Sequence, residues 1–143
     1  MVSKTGNASL TYHVVAKRID AAHAEMETRG HKLILNIKKG SGEAGFNAAE
    51  TLLAALGACL LTNVNAIGEK MRLDIRSARI EFDAQRRDEP PALTEIRYQL
   101  ILESSEPEEK LQELADLCFK WGTVTNTVLN GLTPQGTLVI QRP

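Results

Sequence analysis

Asn47-Ala-Ala-Glu-Thr-Leu-Leu-Ala-Ala-Leu-Gly-Ala-Cys-Leu-Leu-Thr-Asn-Val-Asn-Ala-Ile-Gly-Glu-Lys-Met71 reads as one long helix, and the rest of the chain is organised around it. Leu52, Leu53, Leu56, Leu60, Val64, Ile67 and Met71 recur at three- and four-residue steps, the spacing of one helical face. A second face carries small residues, Ala55, Ala58, Cys59, Thr62 and Ala66, which let another backbone approach closely. From Ala48 to Leu61 the only charge is Glu50. A helix apolar nearly all round is buried rather than laid on a surface. Its start is marked by Asn47, a good N-cap, with Glu50 in the capping-box position. Its end is softer: Gly68 weakens the last turns, while Lys70 and Arg72 suit the negative end of the dipole. Leu73-Asp74-Ile75 follows as a strand-like run.

On the N-terminal side, residues 1–8 read as frayed. Leu10, Tyr12, Val14 and Ala16 alternate with Thr11, His13, Val15 and Lys17, a strand with one buried face. Lys17-Arg18-Ile19-Asp20 is the expected turn out of it. A weaker strand covers about 21–28, Arg29-Gly30 is a tight hairpin turn, and His31–Lys38 is a third strand with Leu33, Leu35 and Ile37 on one face. A glycine-rich loop, Gly40 to Gly45, leads into the helix.

On the C-terminal side, Ala78, Ile80 and Phe82 alternate with Arg79, Glu81 and Asp83, and Ile96, Tyr98, Leu100 and Leu102 with Glu95, Arg97 and Gln99. These are the two strands of a hairpin. Its connection, 85–92, is polar, and Pro90-Pro91 opposes ladder pairing there. Ser105, with Pro107 and Glu108, reads as the cap of a second helix whose stripe is Leu111, Leu114, Ala115, Cys118 and Gly122. A short helix from Val124 to Leu129 ends at Asn130-Gly131, and Thr137–Gln141 is a last strand.

The order βββ-α-ββ-α-α-β, with strands in hairpins, predicts an α+β fold of antiparallel sheets around a buried central helix. Residues 1–143 are expected to form a single domain. The chain has too little other structure to cover the long helix on every side, which points to an obligate homodimer. Net charge is −1, so no global field favours nucleic acid or an anionic membrane. The N-terminus lacks a signal-peptide core, and the longest apolar run, Leu52 to Leu61, is too short to span a bilayer. Two cysteines far apart do not make a disulfide scaffold, so a cytoplasmic location with reduced thiols is expected.

Gly40-Ser-Gly42-Glu-Ala-Gly45 matches G-x-G-x-x-G, but the preceding strand ends in Lys38-Lys39 and no acidic residue stands between Thr62 and Gly68. A flexible loop is the better reading, and no cofactor is expected. His13, His23 and His31 lack metal-ligand spacing, so no metal is expected. There is no G-x-S-x-G elbow for a serine hydrolase. Cys59 is either a packed core thiol or a reactive one. Reactivity requires a depressed pKa, and Cys59 stands about three turns into its own helix, beyond the reach of that helix's dipole. An arginine from elsewhere in the fold is the expected source.

The run Ala49-Glu50-Thr51-Leu52-Leu53-Ala54-Ala55-Leu56-Gly57-Ala58-Cys59 resembles the signature of the OsmC/Ohr family, the osmotically induced and organic hydroperoxide resistance proteins. The resemblance continues through Asn63-Val64, Lys70, Arg72, the segment 84–96 and Lys120–Thr127. It implies an OsmC-like, intertwined homodimer with sites at the subunit interface. It also implies two-cysteine reduction of organic hydroperoxides, with an arginine and a glutamate activating the attacking thiolate and a thiol reductant restoring it. Cys59 matches the first cysteine, the resolving thiol of the Ohr branch. The position of the attacking cysteine is Gly122, at the head of Gly-Thr-Val-Thr-Asn126. Cys118 lies one turn earlier, either a substitute or a core cysteine. Glu50 matches the common family glutamate, although the Ohr-type activating position falls on Ala49. Arg18 is the nearest match to the arginine, and Arg29 the next. The expected activity is therefore thiol-dependent hydroperoxide reduction, with Cys59, Arg18 and Glu50 as the site. The alternative is a non-enzymatic binder of a small hydrophobic molecule at the dimer interface.

Overall fold

The computed structural model describes residues 10–40 and 42–143. The stretch 1–8 and Ser41 of the glycine-rich loop lie outside them. The fold is mixed α+β, with antiparallel sheets and a central helix, as expected. The chain forms two compact units, one ending at Leu52 and one running from Leu53 to Pro143.

The first unit is a meander of β1 (Val15–Arg18), β2 (His23–Thr28) and β3 (His31–Asn36), paired antiparallel in that order. The β2–β3 turn is Arg29-Gly30 with φ of 50° and 82°, a two-residue turn in the left-handed region that matches strand twist. Ala24 and Asn36 are buried, while Tyr12, Val14, Leu33 and Ile34 are exposed. The expected first strand from Leu10 shortens to Val15–Arg18; Leu10–Val14 carries no ladder, though the Thr28 hydroxyl donates to the His13 carbonyl at 2.8 Å. The described residues of the glycine-rich segment, Gly40 and 42–45, form neither helix nor strand, and just beyond them the Asn36 N–H of β3 donates to the Phe46 carbonyl at 2.9 Å.

The long helix α1 (Ala48–Lys70) begins in this unit with a complete capping box. The Glu50 N–H donates to Asn47 Oδ1 at 2.8 Å and the Asn47 N–H donates to Glu50 Oε1 at 2.9 Å. Two of the helix's orphan N–H groups are thereby satisfied. Its end is firmer than the sequence suggested. Arg72, at φ 58°, turns the chain so that Leu73 N–H reaches the Gly68 carbonyl at 2.9 Å and Arg72 N–H the Glu69 carbonyl at 3.0 Å. This is a Schellman closure built on a non-glycine residue.

In the second unit α1 packs with β4 (Ser77–Asp88), β5 (Pro91–Glu103), α2 (Glu108–Lys120) and α3 (Thr123–Asn130). Leu60, Val64, Leu114 and Cys118 form the buried core, and Ile80, Phe82, Leu100 and Phe119 pack against it. Each fully buried leucine contributes roughly 1.5–3 kcal/mol. By length and composition alone α1 could cross a membrane; here its Leu60 and Val64 carry this core. The chain itself covers α1 along one stripe, Leu56, Leu60, Val64 and the two glycines, and leaves Ala55, Ala58, Thr62 and Ala66 exposed.

Four local expectations change. The β4–β5 ladder continues through 85–92 to Asp88↔Pro91, with a register shift at Gln85/Arg86. Pro90 occupies the turn and Pro91 opens β5, positions where no interior ladder N–H is needed. Leu73–Ile75 is an irregular connection, not a strand. The N-cap of α2 is Pro107, without a side-chain cap; it is Ser104, not Ser105, whose hydroxyl accepts from the Glu106 N–H at 3.1 Å. Thr137–Gln141 forms no strand, and Leu138, Val139 and Ile140 are exposed.

Candidate functional site

The corner between α2 and α3 is built from a short sequence, Lys120-Trp-Gly-Thr-Val-Thr-Asn126. Helix α2 ends at Trp121, and Gly122 is the N-cap of α3 in extended conformation, φ −84° and ψ 128°. Asn126 Nδ2 donates to the Lys120 carbonyl at 3.1 Å, and its N–H donates to the Gly122 carbonyl at 2.9 Å. Asn63 Nδ2 of α1 donates to the Cys118 carbonyl at 3.0 Å, tying α1 to the last turn of α2. These bonds hold the start of α3 against the middle of α1.

Cys59 stands at that junction, half-buried. Its Sγ lies 3.8 Å from Thr125 Oγ1. Burial works to raise its pKa. The backbone N–H groups of Thr125 and Val124, the Thr125 hydroxyl and the Thr123 N–H work against burial, and the net shift is downward. These are the orphan donors of a helix N-terminus, which carry partial positive charge and favour a thiolate. The sequence pointed to an arginine as the source of such an effect. In this unit the source is the first turn of α3, reached from residues more than sixty positions away.

Gly122 matters through the space it leaves. A Cβ built there would stand 2.0 Å from Thr125 Oγ1 and 2.8 Å from Cys59 Sγ. The position that the resemblance assigns to a second cysteine is therefore filled by the Thr125 hydroxyl. Cys118 lies in the core instead. Its side chain is fully buried in the core, and burial, with a smaller contribution from the Cys59 charge, pushes its pKa up to about 11. It remains a protonated packing thiol at neutral pH.

Thr125 also forms part of the wall of an apolar cavity of about 150 Å³. The other walls include Leu56, Leu60, Phe82, Tyr98 and Phe119. The Tyr98 ring is 5.7 Å from that of Phe82 and 6.4 Å from that of Phe119. A volume of this size and apolar lining matches that of a benzene-sized molecule. A polarisable thiol, a row of amide donors and a small apolar chamber thus meet around one threonine.

The remaining site candidates belong to the first unit. Arg18 closes β1 and is exposed; Glu50 is engaged in the α1 capping box; Arg29 is the first residue of the β2–β3 turn. Sequence reasoning missed Thr125. The signal available was a glycine followed by Thr-x-Thr at a helix start, a pattern that sets donors toward whatever packs there.

The profile of the family described as OsmC-like protein matches residues 40–135. No curated protein sequence matches. Among solved structures, the OsmC-like protein from Mycoplasma pneumoniae is 20% identical, with a TM-score of 0.78 over 85% of this chain and 89% of that one. The organic hydroperoxide resistance protein OhrB of Bacillus subtilis is 18% identical, with a TM-score of 0.59 over 83% of this chain and 90% of that one. An organic hydroperoxide resistance protein OsmC from Legionella pneumophila is 14% identical, with a TM-score of 0.63 over 85% and 91%. At these identities the likeness is one of fold.

Proposed function

The chain belongs to the OsmC-like protein family, and we propose that it is a one-cysteine thiol peroxidase in which Cys59 reduces small organic hydroperoxides. The observation that carries this reading is the Cys59 sulfur held against the first-turn amides of α3 beside an apolar cavity. That two proteins of similar fold bear the name organic hydroperoxide resistance protein supports it.

The Cys59 thiolate attacks the outer peroxide oxygen. An S–O bond forms as the O–O bond breaks, the sulfur becomes a sulfenic acid, and the alkoxide leaves and takes a proton to give the alcohol. With Cys118 protonated and packed, resolution falls to an external thiol. That thiol condenses with the sulfenic acid and releases water. A second external thiol then frees Cys59 and departs as the oxidised disulfide. In this reading Arg18 adds charge that favours the thiolate, with Arg29 the next choice, and Glu50 orients it.

The working form is a homodimer, a reading supported by the uncovered small-residue face of α1 at Ala55, Ala58, Thr62 and Ala66. A reducing compartment such as the cytoplasm suits a resting thiolate. Intact mass after brief exposure to an organic hydroperoxide tests the chemistry. The expected result is a gain of about 16 Da, one oxygen, absent from Cys59→Ser. No change over minutes would sink the peroxidase reading. It would leave the second one, a binder of small apolar molecules, which the cavity and the missing thiol at Gly122 favour.

A further inference from the structure

We propose that Thr125 is the positioning residue of this site: its hydroxyl, in the space left by Gly122, donates to the Cys59 sulfur and holds it at the wall of the apolar cavity. The inference rests on the reading of Cys59 as the reacting thiol.

Three observations meet at one side chain. Thr125 is 4% exposed, yet polar. A buried hydroxyl requires a partner, and the side-chain partner in the structure is Cys59 Sγ at 3.8 Å. The same side chain lines the cavity, so it touches both the thiol and the volume a substrate would fill. To a thiolate the hydroxyl can only donate, and donation to a charged acceptor is among the stronger hydrogen bonds. It thus favours the ionised sulfur and also fixes its direction.

Gly122 is the other half of the arrangement. Any side chain there begins with a Cβ 2.0 Å from Thr125 Oγ1, a separation that forces the hydroxyl to move. Its extended backbone does not itself demand glycine, since φ is −84°. The requirement comes from the occupied space. Gly122 is then a compensated position and not merely the scar of a lost cysteine: the volume of a second thiol has been taken by a hydrogen-bond donor.

The test is a titration of Cys59 in the full-length protein, read by the ultraviolet absorbance of the thiolate and by the rate of alkylation against pH. Thr125→Val keeps the volume and removes the donor. It is expected to lower the thiolate fraction at neutral pH by about tenfold, the scale of one hydrogen bond to a charged group. Thr125→Ser should restore most of it. Gly122→Ala supplies an independent arm, because its methyl displaces the hydroxyl without altering residue 125. It should lower the thiolate fraction in the same direction, and adding Thr125→Val to it should lower it little further. An unchanged titration in Thr125→Val, or fully additive losses in the double variant, would overturn the proposal. Neither readout uses peroxide. A wild-type protein inert to hydroperoxide but sensitive to Thr125→Val would overturn the peroxidase reading and keep this one.

Discussion

Cys59 Sγ and Thr125 Oγ1 lie 3.8 Å apart across the junction of α1 and α3. The contact joins the middle of a helix, where a dipole does nothing for a thiol, to the first turn of another helix, where it does.

The Cys59 thiol should ionise below the ordinary thiol range. Burial raises its pKa, but the Thr125, Val124 and Thr123 amides together with the Thr125 hydroxyl outweigh burial. Its alkylation rate should therefore reach half its plateau at a lower pH than a free thiol, and persist as pH falls toward neutrality. Rates measured with Cys59→Ser as the blank check this; a half-plateau at or above the free-thiol value would contradict it.

Cys118 should show the opposite pH dependence, in stability. Its folded pKa is raised, chiefly by burial, from 9.0 to about 11. A raised acid contributes stability that is complete below the unfolded value and is lost as pH rises through the folded one. Denaturant midpoints should thus decline between pH 9.0 and about 11, and this part of the decline should be absent in Cys118→Ala, which itself is less stable because it opens the core.

Gly122→Cys alone should fit poorly, because the new Cβ would lie 2.0 Å from Thr125 Oγ1. Overpacking of this kind costs about 1–3 kcal/mol, visible as a lowered melting temperature. Paired with Thr125→Ala, the substitution gains room beside Cys59 Sγ, 2.8 Å from the same Cβ. Oxidation of that double variant should remove about 2 Da, one intrachain disulfide. Retention of all three thiols after oxidation would argue against the observed corner geometry.

Asn47 and Glu50 separate capping from catalysis. Asn47→Ala removes the N-cap acceptor and should cost about 1 kcal/mol, leaving the rate of Cys59 oxidation unchanged. Glu50→Gln keeps an acceptor for the Asn47 N–H, 2.9 Å away in the native chain, while deleting the charge. If Glu50 orients an arginine toward the thiolate, Glu50→Gln slows oxidation by hydroperoxide with little change in stability. Equal rates in the two variants would confine Glu50 to its cap.

Much of the fold was legible because its signals are local. Asn47 and Glu50 sit three residues apart, and their reciprocal bonds follow from that spacing. Arg29-Gly30 joins two alternating runs and forms the turn it suggests. The errors came where one residue type was read without its place. Pro90-Pro91 looked like a break in pairing, yet one proline turns the hairpin and the other starts β5. Ser105 looked like a cap, but Pro107 takes that position. The alternation of Thr137–Gln141 is a strand pattern, and pattern alone supplies no ladder partner.

The sequence by itself determined the α+β order, the long apolar helix, its N-terminal box and the thiol in its middle, since each depends on neighbours a few residues away. It also placed Cys118 on the stripe of Leu111, Leu114 and Ala115, with packing as one of two readings, and the structure buries it in the core. What surrounds Cys59 was decided only by tertiary structure. The first turn of α3 lies more than sixty residues from Cys59 along the chain, and only the packing of α1, α2 and α3 brings its amides to the sulfur. Whether Gly122 is a vacancy or a filled position likewise depends on where Thr125 points, a rotamer fixed by that packing and by no spacing in the sequence.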